Sequence, residues 1–150
     1  MAILALVVAG MIAPAANACR VVRSPEQRIS DIYISQPDIR IAQVSIIEAR
    51  HLSNDMVREV NRVFPDSLMP WRATASVSEL IVGDESPELL IFDRGWGSPA
   101  CDDGTKKPDP GDKWVVYFVS AHSIAEADVI ESYPLSVARR ADRRLAEKLR

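Results

Sequence analysis

Lys113-Trp114-Val115-Val116-Tyr117-Phe118-Val119-Ser120 holds an unbroken run of β-branched and aromatic residues from Trp114 to Val119 and follows the turn sequence Asp109-Pro110-Gly111-Asp112. Such side chains suit a pleated, packed surface, and Pro and Gly supply the chain reversal before them, so the stretch reads as a strand entered from a tight turn. Upstream, Arg94 to Asp112 is dense in Gly, Pro and Asp and reads as loop, its Gly95-Trp96-Gly97 turn setting Trp96 over the edge of the core. Before that loop, Pro87 to Asp93 forms a strand with Leu90 and Phe92 opposed to Leu89 and Ile91. Trp71 to Val82 forms another, with Ala73, Ala75 and Val77 at period two and a turn at Gly83-Asp84. Ile39 to Arg50 is a long strand whose alternation slips near Gln43 and Val44, the mark of a bulge. Downstream, Glu126 to Tyr133 adds a short fifth strand.

Three segments change period. Ser24-Pro25-Glu26-Gln27 opens a helix to about Ile34, with Ser24 as N-cap, Pro25 at the first helical position and Gln27 closing a capping box. Met56, Val60, Val63 and Phe64 lie at helical spacing within Ser53 to Phe64, and Ala138, Ala141, Leu145 and Leu149 do so within Leu135 to Leu149. No internal repeat is visible. Five short strands in one domain predict a mostly β protein with helical additions (α+β): a small antiparallel OB-like barrel over 19–134, a helical insertion at about 53–64, and an amphipathic C-terminal helix in 135–150.

The first eighteen residues read as a signal peptide. Ala2 to Ala13 is an uncharged apolar block, and Ala16-Asn17-Ala18 offers small residues where signal peptidase cuts, leaving Cys19 first. Pro14 and Asn17 leave the block shorter than the about 20 apolar residues a membrane span needs. A lipoprotein signal also ends at a cysteine, but it favours a large aliphatic residue where Ala16 stands. The expected location is therefore secreted or periplasmic, with attachment to a membrane only if Cys19 carries lipid. Cys19 and Cys101 are the two cysteines, and an even count in an exported chain reads first as one disulfide. Closing a loop of roughly 80 residues would stabilise the fold by up to ~4.5 kcal/mol on the chain-entropy model. A lipidated Cys19 beside a free Cys101, or an intermolecular pair, are the alternatives.

The net charge of −3 hides an asymmetry: Arg139, Arg140, Arg143, Arg144, Lys148 and Arg150 crowd the C-terminus against Asp142 and Glu147. An exported protein seldom meets nucleic acid and helix C-termini favour cations, so this reads as a solvated helix face, with no nucleic-acid partner.

With these elements in hand the chain resembles the netrin-like, tissue-inhibitor-of-metalloproteinases type of OB-fold protein, in its short bacterial secreted form. The likeness rests on Cys19 after the signal peptide, the Ser24-Pro25-Glu26 helix, the strand from Ile39, the Val82-Gly83 turn, and Gly97-Ser98-Pro99-Ala100-Cys101 ahead of Pro110-Gly111-Asp112-Lys113 and its aromatic strand. It covers about Cys19 to Val119. The resemblance implies a partner that is an extracytoplasmic protein, in the specific case a zinc protease, whose metal is chelated by the α-amine and carbonyl of Cys19 while a Cys19–Cys101 bridge holds that terminus. An α-amine near pKa 7.7 to 8.0 is neutralised at modest cost, and such chelation suits a zinc with an open position. Cys19, Arg20 and Trp96 are the partner-binding residues on this reading. Two positions depart from the pattern: Val21 replaces the usual second cysteine, and Arg20 brings a cation next to the metal, which is unfavourable.

An enzyme is not expected. His51 and His122 stand far apart, neither beside a cysteine nor in a Glu-x-x-His spacing, and in Gly95-Trp96-Gly97-Ser98-Pro99 the proline lacks the amide that an oxyanion hole takes after a nucleophile. Asp102, Asp103, Asp109 and Asp112 do not match a calcium loop, and Lys106 and Lys107 stand among them, so they read as turn chemistry. No metal site and no cofactor are expected. The runner-up function is a lipid-anchored envelope protein with a structural or assembly role.

Overall fold

A computed structural model describes residues 23–52, 70–95, 106–120 and 127–149. Residues 1–18, expected to be a signal peptide, and the helical insertion expected at about 53–64 lie outside them. The order of elements is α1 (Pro25–Ser35), β1 (Arg40–His51), β2 (Trp71–Val82), β3 (Leu89–Arg94), β4 (Lys113–Ser120), β5 (Ala127–Pro134) and α2 (Leu135–Ala141). The strands form one antiparallel sheet in the order β3-β2-β1-β4-β5. The protein is mostly β, in an α+β arrangement.

Local chemistry sets the boundaries. The Ser24 hydroxyl accepts from the Gln27 amide at 3.4 Å and the Gln27 side chain accepts from the Ser24 amide at 3.0 Å, so the capping box fixes the start of α1. The slip in β1 is present between Gln43 and Val44, with further irregularities at Ile41/Ala42 and Ile46/Glu48. Gly83 ends β2 with a φ of +111°, and a Cβ there would lie 2.9 Å from the Arg40 side chain. Before β4, the Asp112 carboxylate accepts from the Asp109 amide, and Gly111 and Asp112 exchange backbone hydrogen bonds with Ile46.

The sheet carries a packed layer on each face. On the inner face Ala42, Ala73 and Ala75, all fully buried, leave room for Trp71, Phe92 and Trp114. Phe92 and Trp114 belong to strands three places apart, a separation of about 14 Å in a flat sheet. Their ring centroids nevertheless lie 6.0 Å apart, and Trp71 packs edge-on to Trp114 at 5.6 Å. The sheet is therefore strongly rolled. Among the described residues no backbone ladder joins β3 to β5, so hydrogen bonding leaves it open along that seam.

The outer face of β4 and β5 is covered by the helices: Ile29 and Ile32 of α1 and Ala138 of α2 pack with Ile41, Val115, Tyr117 and Tyr133. The C-terminal helix is shorter than its apolar spacing predicts. It ends at Ala141 because Asp142 leaves helical geometry and its buried carboxylate accepts from the hydroxyls of Tyr33 at 2.9 Å and Tyr117 at 2.8 Å. The chain continues in turns, yet Leu145 and Leu149 still pack into the layer beneath α1 and α2. Arg144 lies 4.1 Å from the Tyr33 ring centre and completes the clasp.

Candidate functional site at the Glu131 rim

Glu131 lies opposite Tyr117 in the β4–β5 ladder, beside the open seam. Two arginines from distant parts of the chain meet on it. Arg28 of α1 donates to Oε1 at 3.1 Å, and Arg94 at the end of β3 donates to Oε2 at 3.1 Å. Arg94 also donates to the Ser132 carbonyl and lies 5.3 Å from the Tyr133 ring centre, so one guanidinium spans the seam from β3 to β5.

These side chains are mostly withdrawn from water, with 9% of Arg94, 17% of Glu131 and 21% of Arg28 exposed. Charge-assisted hydrogen bonds are stronger in such surroundings than on an open surface. Burial, reinforced by the Glu131 charge, holds the Tyr133 hydroxyl far above the ordinary tyrosine range. Through these contacts the cluster ties α1 and the end of β3 to β5.

Its position links the two segments that the sequence singles out. The Arg23 carbonyl accepts from Arg28 Nε at 3.3 Å, which ties the chain leading into α1 to the same arginine. Gly95, buried and in the left-handed region at φ +81°, carries the chain on from Arg94 toward Trp96. The segment that holds Cys19 and Arg20 and the segment that holds Trp96 and Cys101 thus adjoin neighbours of one carboxylate. Those four residues themselves lie outside the described residues, as do His122, Ser98, Asp102 and Asp103. His51 is exposed at the end of β1. Among the described residues, no three His, Cys, Asp or Glu side chains gather as a metal would require.

A second surface is bare. On the outer face of β2 and β3, Leu89 is 48% and Ile91 57% exposed, and Ile47, at the last irregularity of β1, is 48% exposed. Arg72 grips Asp93 beside them with paired contacts of 2.7 and 2.8 Å.

Sequence reading passed over Glu131, Arg28 and Arg94. Their pairings join residues 103 and 37 positions apart, and no local spacing announces them. Comparison with protein-family models, with curated proteins and with solved structures found no match to this chain.

Proposed function

We propose that the chain is an exported, non-enzymatic OB-type module that binds another extracytoplasmic protein through its N-terminal segment and the loop after β3. The observation that carries this reading is the convergence of Arg28 and Arg94 on Glu131. From Arg23 back to Cys19 the chain reaches at most ~14 Å, and from Gly95 on to Cys101 at most ~21 Å. Arg23 is hydrogen-bonded to Arg28 and Gly95 follows Arg94, the two arginines that meet on Glu131, and a Cys19–Cys101 bridge would hold the new terminus near that rim.

The OB assignment draws on strand order. A sheet running β3-β2-β1-β4-β5 and rolled until β3 approaches β5 follows the cyclic order of an OB barrel, with Arg94 standing in for a ladder at the seam. Five-stranded OB folds are partly open and bind ligands on the face of their second and third strands. The exposed Leu89 and Ile91 occupy the corresponding face here and add apolar contact area.

Zinc-protease inhibition through the α-amine of Cys19 is the specific form of this function. The mature protein, assayed against a panel of zinc proteases, is expected to inhibit at least one stoichiometrically and to lose inhibition when its N-terminal amine is acetylated. Inhibition that survives acetylation would reject chelation, and no inhibition or complex formation across the panel would reject the inhibitor reading.

A further inference from the structure

A groove of about 680 Å³ runs between residues 106–113 and the first turn of α2. Four cations line it: Lys106, Lys107, Lys113 and Arg139. Arg23, Arg28, Arg40, Arg72 and Arg94 each pair with a carboxylate, whereas none of these four pairs with a carboxylate of the described residues. The acid lining the groove, Asp112, accepts from the Asp109 amide. Within a chain of net charge −3, the described lining of this groove thus carries four cations against one carboxylate. Leu135 and Val137, each half-buried, also line it.

We infer that this groove binds an extended acidic segment of a partner protein, with carboxylates spaced along it and an apolar side chain between them. Shape and chemistry select this occupant. Four cations line one groove, so a single small oxyanion carries too little charge to balance them, whereas several carboxylates along an extended segment can. A bilayer surface is flat and touches only the rim of a concavity. Single-stranded nucleic acid needs exposed aromatic faces for stacking, and Trp114, the aromatic residue lining the groove, is 2% exposed. Complementary charge of this kind accelerates encounter and sets orientation, and Leu135 and Val137 supply the apolar contact. The inference does not depend on chelation by Cys19 or on the Glu131 rim.

The test is fluorescence anisotropy of a labelled Asp-Leu-Asp-Leu-Asp-Leu peptide titrated with the full mature protein at low and at physiological ionic strength. The peptide is expected to bind, to weaken as salt rises, and to weaken roughly tenfold or more when Lys106→Gln, Lys113→Gln and Arg139→Gln are combined. These side chains are exposed, so the triple variant should keep its circular dichroism spectrum, and Arg50→Gln on β1 should bind as the parent does. Failure to bind, equal binding by the triple variant, tighter association with phosphatidylglycerol vesicles than with the peptide, or competition by inorganic phosphate beyond that of sodium chloride at equal ionic strength would each overturn the assignment.

Discussion

β2 and β4 flank β1 in one sheet, yet they live in different surroundings. Along β4, Trp114, Val116 and Phe118 enter the inner core while Val115 and Tyr117 lie beneath the helices, so five successive residues are buried. Along β2, Trp71, Ala73 and Ala75 are buried, while Arg72 is exposed and Thr74 and Ser76 are partly so. A strand covered on both faces is apolar without interruption, and one covered on a single face alternates. The two patterns in the sequence therefore record which half of the sheet carries helices. The bare half leaves Leu89, Ile91 and Ile47 exposed.

The largest effect is expected in the layer shared by both halves. Trp114→Ala removes the ring that touches Trp71 and Phe92 and should cost about 3–5 kcal/mol, read by urea unfolding. A loss below ~1 kcal/mol would show that the roll of the sheet does not depend on this aromatic trio.

The clasp on the covered half comes next. Asp142→Ala leaves the Tyr33 and Tyr117 hydroxyls without their shared acceptor and should cost roughly 2–3 kcal/mol. Hydrogen exchange should quicken in 135–149 while the β2–β3 amides keep their protection. Uniform loss of protection would mean that the two halves unfold as one unit.

All three tyrosines, Tyr33, Tyr117 and Tyr133, sit on the covered half, and burial is the first cause holding each hydroxyl above its usual range. Below about pH 10 these groups are protonated in both folded and unfolded chains, and their contribution to stability is complete. Above it the unfolded chain releases phenolic protons that the folded chain retains, so stability should fall as pH rises. Tyr117→Phe should flatten that decline, measured as thermal midpoint against pH. An unchanged slope would place the alkaline transition elsewhere.

The smallest effect belongs to the bare half. Ile91→Ser should change stability by no more than ~0.5 kcal/mol, since the side chain is already 57% exposed. The same change should weaken capture of the partner if that face is part of the contact.

Much of this architecture is legible in the sequence because it depends on neighbours along the chain. The Ser24–Gln27 box, the Gly83 turn, the ends of β2 and β4 and the slip at Gln43 each follow from residues a few positions apart. The short α2 is not legible that way. Ala138, Ala141, Leu145 and Leu149 keep helical spacing, but what ends the helix is a carboxylate claimed by tyrosines 109 and 25 positions away. The seam is hidden for the same reason: Arg94 reads as the start of a loop, and only the rolled sheet brings it to Glu131 and Ser132. The basic groove is assembled from a loop and a helix, so the Lys106-Lys107 pair seen among acids has no visible counterpart until Arg139 is placed beside it.

The central claim is that the chain before α1 and the chain after β3 are held together at the Glu131 rim. Peptide mapping of the processed, non-reduced protein by mass spectrometry tests it most directly. The account predicts a chain that begins at unmodified Cys19, with the Cys19 peptide joined to the peptide containing Cys101 until reductant is added. Two thiols that alkylate without reduction, or a Cys19 carrying acyl chains with Cys101 free, would contradict it.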